Sequence, residues 1–276
     1  MKIDAHQHFW QFDELRDNWI SADTMAVIRK DFLPDDLAPI LQKNGFNGCI
    51  AIQASQSIQE TDFLLNLAQK NDLIKGVVGW IDLLSPNLEK QLKGYEHQKK
   101  LKGFRHILQS EKKVFFENEN FIKGIKCLNK QQFTYDILVF PNQLSSILKM
   151  MPHLDENALI VDHLAKPYIK KGLIKQWQKD IKKVAQFENV YCKISGLLTE
   201  ANWYNWQEKD FKPYIETVLE NFGENRVIYG SDWPVCLLAG SYEQQLKVVE
   251  NCLNLKENKS LAEKIFGQNA IKFYQL

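Results

Sequence analysis

Eight short apolar runs recur along the chain, and chemically reactive polar residues gather where several of them end. The runs are KIDAHQH (2–8), GCIAIQAS (48–55), KGVVGWIDL (75–83), LKGFRHIL (101–108), TYDILVF (134–140), ALIVDHL (158–164), NVYCKISG (189–196) and RVIYGSDW (226–233). Runs of this length, rich in β-branched and aromatic residues, read as buried strands. Between them the apolar residues change to i, i+3, i+4 spacing, which marks a helix with one buried face. Phe63, Leu64, Leu67 and Ala68 form one such stripe, and Leu144, Ile147, Leu148 and Met151 another. Ile174, Trp177, Ile181 and Val184 form a third; Tyr214, Ile215, Val218, Leu219 and Phe222 make the strongest. Pro34, Pro86 and Pro141 stand where helices would begin, because the first turn has no use for the N–H that proline lacks.

Strands alternating with helices imply parallel strands joined by right-handed crossovers, either closed as a barrel or opened as a doubly wound sheet. The first strand separates the two. A nucleotide-binding sheet would follow it with a glycine-rich turn, whereas HQHFWQFDELRDNW contains no glycine. Eight strands favour the α/β class and a single (β/α)8 TIM barrel. No Ser/Gly linker, low-complexity tract or charge block divides the chain, so residues 1–276 read as one barrel domain. The stretch HFWQFDELRDNWISADTMAVIRKDF after the first strand is longer than a normal connection and is expected to be an active-site loop.

Charge narrows the partners. Thirty-five basic residues nearly cancel thirty-four acidic ones, so no overall field gathers nucleic acid or an anionic membrane. A small, weakly charged molecule is the expected ligand; the pattern carries no signal for an oligomeric state. The five cysteines are odd in number, scattered and without metal-type spacing, which points to reduced thiols in a cytoplasmic protein. No basic-then-apolar leader precedes Asp4, and no run approaches the roughly 18 apolar residues of a membrane span.

In a barrel of this kind the reactive groups belong at the C-terminal ends of the strands. His6 and His8 end the first, Gln53 the second, and Trp80 with Asp82 the third. Arg105 and His106 lie in the fourth, Asp162 and His163 in the sixth, Lys193 and Ser195 in the seventh, Ser231 and Asp232 in the eighth. Side chains alternate along a strand, so His6 and His8 emerge on one face. With His163 and Asp232 they supply the imidazoles and carboxylate that hold a divalent ion. The same alternation lets only one of Arg105 and His106 face the barrel, barring a bulge, and either is a candidate for the substrate. Trp10, Trp80 and Trp233 each adjoin a strand-end motif and offer flat apolar faces for a sugar ring.

The motifs DAHQHFW, FLPDDL, AIQAS, VVGWIDL, GFRHILQ, DHLAKP, KISGL, YGSDWPV and FGQNAIKFY, in order along the chain, resemble the amidohydrolase-related branch of the amidohydrolase superfamily. They are most similar to its sugar-lactone hydrolases of the L-fuconolactonase and L-rhamnonolactonase type. The resemblance implies a (β/α)8 barrel that opens a sugar-acid lactone, with His6, His8, His163 and Asp232 as the positions of the metal-binding or catalytic set. Binuclear members carry a lysine or glutamate on the fourth strand and a histidine on the fifth. Here the fourth carries Arg105-His106 and TYDILVF has no histidine, so at most one divalent cation, zinc first, is expected, and the resemblance extends to enzymes that act with weak metal occupancy or none. Asp232 is then the expected general base, with His163 and His106 as catalytic partners. Arg105, Gln53, Lys193 and the three tryptophans are expected at the substrate. A metal-dependent decarboxylase of the same superfamily is the alternative, and a non-catalytic binding barrel a more distant one.

Overall fold

The computed structural model describes residues 1–276. Its strands are β1 (Ile3–Gln7), β2 (Gly48–Ile52), β3 (Ile74–Gly79), β4 (Leu101–His106), β5 (Thr134–Ile137), β6 (Leu159–Val161), β7 (Val190–Ile194) and β8 (Val227–Tyr229). They form one sheet in sequence order, and every neighbouring pair is parallel. The seam between β8 and β1 closes just beyond the strand ends, where Asp232 N–H donates to His6 O at 2.8 Å and His8 N–H to Trp233 O at 2.7 Å. Asp4 reinforces it from outside: its Oδ1 accepts the Ser231 N–H at 2.9 Å and the His6 N–H at 3.3 Å. The architecture is the expected (β/α)8 barrel.

The helices are α1 (Pro34–Lys43), α2 (Ile58–Lys70), α3 (Leu88–Gly94), α4 (Glu119–Lys130), α5 (Leu144–Met150), α6 (Lys175–Val184), α7 (Leu197–Glu200), α8 (Glu208–Phe222), α9 (Tyr242–Cys252), α10 (Lys259–Glu263) and α11 (Asn269–Tyr274). The apolar stripes face the sheet as their spacing dictates: Trp177, Ile181 and Val184 on α6, and Tyr214, Ile215, Val218 and Phe222 on α8, are buried. Pro34 opens α1, Pro141 opens a 3₁₀ turn that runs into α5, and Pro86 sits two residues ahead of α3.

Two apolar cores result. The larger fills the space between sheet and helices. The smaller fills the lower barrel with Ile3, Ala5, Ile50, Ile52, Val78, Ile160 and Ile228, and Phe273 and Tyr274 of α11 pack into it. Above this apolar layer the interior turns charged, with Arg105, Asp136, Asp162 and Lys193 all buried. All five cysteines are buried free thiols. No helix is long and apolar enough to cross a membrane.

Candidate active site

The two histidines of β1 reach the interior through a bulge. Asp4 pairs with Cys49 and Gln7 with Ala51, so three steps along β1 answer two along β2. Strict alternation from Ile3 and Ala5, which face the inner core, would send His6 and His8 outward with Asp4. One extra residue reverses the phase, and both imidazoles point into the barrel. Their ring centroids are 5.1 Å apart, edge to face, and His163 packs 4.3 Å from His6.

Three imidazoles converge on one carboxylate oxygen. His8 Nε2 lies 3.4 Å from Asp232 Oδ1, His6 Nε2 3.9 Å and His163 Nε2 4.0 Å. The opposite ring nitrogens are held from behind. His8 Nδ1 donates to Ile52 O at 2.8 Å, since a carbonyl can only accept, and this turns Nε2 toward Asp232. His163 Nδ1 meets Ser195 Oγ at 2.9 Å. Arg105 Nη1 sits 3.3 Å from His6 Nε2, and His6 Nδ1 lies between Lys193 Nζ at 3.3 Å and Asp162 Oδ1 at 3.4 Å.

Backbone conformation positions two of these groups. His163, Leu164, Ala165 and Lys166 form a left-handed run with φ between 51° and 58°, and Asp232 has φ 59°. Non-glycine residues pay about 1–2 kcal/mol each for such angles, so this rim turn is strained where the site is built. Burial alone would raise the Asp232 carboxyl, but His163, His8 and His6 outweigh it and hold it well below the usual carboxylate range. Burial pushes His163 down to about 4 and His6 well below its ordinary value.

A charged layer supports the site from beneath. Arg105 Nη1 donates to Asp162 at 3.0 Å, and its Nη2 to Gln53 O. Lys193 pairs with Asp162 at 3.0 Å and with Asp136, which also accepts the Tyr274 hydroxyl at 3.0 Å. Burial raises the Asp162 carboxyl, yet Lys193, His6 and Arg105 together hold it well below the ordinary range.

Above lies a cavity of about 360 Å³ whose wall includes His8, Trp10, Trp19, Arg105, His163 and Asp232. Trp19 comes from the long stretch after β1, so that stretch does line the cavity as expected. Of the residues expected at the substrate, Arg105 and Trp10 are in the wall. Lys193 and Gln53 are fully buried outside it; Gln53 Nε2 donates to Arg105 O at 3.0 Å and so serves the arginine. Trp233 is core, edge-on to Phe9 and Phe32. Trp80 is half-buried outside the wall, its indole N–H without a protein partner. His106 points away from the cavity: β4 pairs with β5 without a bulge, so alternation sends His106 outward, stacked 5.4 Å from Phe115 with Nε2 on Glu111 at 2.9 Å. Lys166 and Trp19 were not among the expected site residues, since both belong to loops without a period. Asp162 was among the reactive strand-end residues but was given no role; it stands two residues after the inward Ile160.

The donor set suits a metal ion. His6, His8 and Asp232 offer ligand atoms within 4.8 Å of one another, as do His6, Asp162 and His163. Nδ1 of each histidine already has a polar partner, the outer arrangement that orients ligating imidazoles. The two nitrogens and one oxygen of the His6, His8 and Asp232 set are donors that zinc accepts, with the Arg105 hydrogen bond to His6 Nε2 as the competing interaction.

The profile of a family described as amidohydrolase matches residues 3–276. An L-fucono-1,5-lactonase from Burkholderia multivorans is 35% identical over 287 residues, covering 100% of this chain and 96% of that protein. Another from Burkholderia ambifaria is 32% identical over 279 residues, covering 100% and 96%. The barrel superimposes on the crystal structure of a Burkholderia multivorans amidohydrolase with bound zinc at a TM-score of 0.96 and 34% identity, covering 100% of this chain and 99% of that one.

Proposed function

The chain belongs to the amidohydrolase family, and on that premise we propose that it is a lactone hydrolase that opens an L-fuconolactone-like sugar lactone to the free acid. The observation that carries the reading is the convergence of three imidazole Nε2 atoms on Asp232 Oδ1 at the wall of the cavity. A volume of about 360 Å³ accommodates one monosaccharide-sized molecule, with Trp10 and Trp19 as apolar faces for its ring.

Lactone hydrolysis needs an activated water, a polarised carbonyl and a proton for the departing ring oxygen. Asp232 is ionised at any working pH, so it accepts the proton of the attacking water and returns it to the ring oxygen as the C–O bond breaks. The guanidinium of Arg105, fixed by Asp162 and Gln53, stabilises the charge that develops on the carbonyl oxygen. His8 and His163, held in orientation by Ile52 O and Ser195 Oγ, keep water and carboxylate aligned.

His6, His8, His163 and Asp232 are the residues that would hold one divalent cation, zinc by preference. When bound, it supplies Lewis acidity and lowers the pKa of its water. A second ion is disfavoured because the inward positions of β4 and β7 are occupied by Arg105 and Lys193, two fixed cations. The buried free thiols accord with a reducing, cytoplasmic setting.

The test is a pH-indicator screen of aldonolactones with chelator-treated and zinc-supplemented protein. Wild type is expected to release one proton and no carbon dioxide per turnover, whereas carbon dioxide would favour the decarboxylase. Asp232→Asn keeps the size of the side chain but cannot take the proton, so kcat per folded molecule is expected to fall on the order of a hundredfold or more. Near-normal turnover in the folded variant would remove Asp232 from the mechanism.

A further inference from the structure

Two cations line the cavity, and they differ in freedom. Arg105 is immobilised by Asp162, Gln53 O and His6. Lys166 stands three residues after His163, at the end of the left-handed rim turn, and its Nζ has one anionic partner, Glu200 Oε1, at 3.1 Å. Side-chain exposures of 22% and 17% show a pair that neither floats in solvent nor is sealed in the core. Glu200 is the last residue of α7, on the loop that leaves Gly196 beside His163. The pair is thus built on the same two rim loops that carry His163 and Ser195.

Opening a neutral lactone creates a carboxylate inside a cavity that already holds the Asp232 carboxylate. The new anion needs a cation while it forms and must then leave it. We infer that Lys166 receives the carboxylate of the product and that Glu200, by competing for the same ammonium, keeps that hold weak enough for release. This rests on the lactone reading and goes beyond it: it assigns Lys166 a contact with the product and makes Glu200 a positioning residue that acts through Lys166. An unpaired lysine beside the reacting centre would attract every aldonate formed; a lysine already shared with a carboxylate exchanges one partner for another.

Calorimetric titration with L-fuconate, and with neutral L-fucose as the uncharged control, tests the assignment without turnover. Glu200→Gln is expected to bind L-fuconate about fivefold tighter or more, with stronger product inhibition, while L-fucose affinity stays within twofold. Lys166→Met is expected to weaken L-fuconate by a similar factor. In the Lys166→Met background the Glu200→Gln effect should vanish, which a merely structural role for Glu200 would not produce. Glu200→Asp should restore near-wild-type binding. Unchanged or weaker L-fuconate binding by Glu200→Gln in a protein that hydrolyses L-fucono-1,5-lactone overturns this inference alone. A wild type that neither binds aldonates nor opens any lactone overturns the lactone reading, and the inference with it.

Discussion

His106 and Arg105 are chain neighbours that leave β4 on opposite faces, and the difference decides which of them meets chemistry. Arg105 reaches His6 and Asp162 inside the barrel, while His106 stacks on Phe115 and meets Glu111 outside it. His106→Ala should therefore leave kcat within about threefold of wild type and lower stability by about 1 kcal/mol, the usual worth of one aromatic contact. A hundredfold loss of kcat at normal Tm would mean that the ring turns inward during turnover. Period-two alternation told from sequence that only one of the pair faces the substrate; it could not tell which, because the phase of a strand buried on both faces is set by its neighbours. Trp233 misled for a related reason: a tryptophan beside a reactive motif is equally at home in the core, and Phe9 and Phe32 claim this one.

At the scale of elements, strands and their order were legible because eight apolar runs repeat, whereas the devices that aim the side chains were not. The β1 bulge is one such device, and nothing in IDAHQ announces it. The β7 turn is another. Gly196 has φ 59°, and a Cβ there would lie 2.5 Å from His163 Nδ1 and 3.2 Å from Asp232 Oδ2. Gly172 has φ 62° but open space around it. Both Gly→Ala substitutions thus incur left-handed strain of about 1–2 kcal/mol, but only Gly196→Ala must displace a histidine of the site. Displacements near 1 Å cost up to about a hundredfold in rate, so Gly196→Ala should lose more than tenfold in kcat/KM while Gly172→Ala keeps its turnover at a similarly lowered Tm. Equal activities in the two variants would show that the backbone at residue 196 tolerates a side chain and that His163 is not held by this contact.

The whole molecule carries its buried charges in opposing sets, and their balance sets how stability responds to pH. Burial keeps His6 and His163 neutral, so as pH falls below about 6.5 the unfolded chain takes up protons that the fold refuses, and stability drops. Burial lifts the Asp4 carboxyl to about 6 and Asp136 in the same direction, so over pH 6 to 4 the fold takes up protons first and stability rises. The two histidines act one way and the Asp4 and Asp136 carboxyls the other, joined by the Glu60 and Glu200 carboxyls that burial also raises; each group has a limiting slope of about 1.4 kcal/mol per pH unit, and the sets oppose one another. Below about pH 4 the balance ends, because Asp162 and Asp232 are held ionised in the fold while their unfolded counterparts protonate. At the alkaline end burial raises the thiols of Cys49, Cys192 and Cys236 and the hydroxyls of Tyr135, Tyr229, Tyr242 and Tyr274. The unfolded chain loses those protons from about pH 9 upward, and the fold loses stability with it. Chelator-treated protein followed by denaturant unfolding from pH 3 to 10 should therefore show a plateau between about pH 4 and 9 with a steep fall on either side. A steady decline of one to two protons' slope from pH 6 to 4 would mean that the Asp4 and Asp136 carboxyls are ionised in the fold, and that in the charged layer beneath the site Asp136 and Asp162 balance the two cations Arg105 and Lys193.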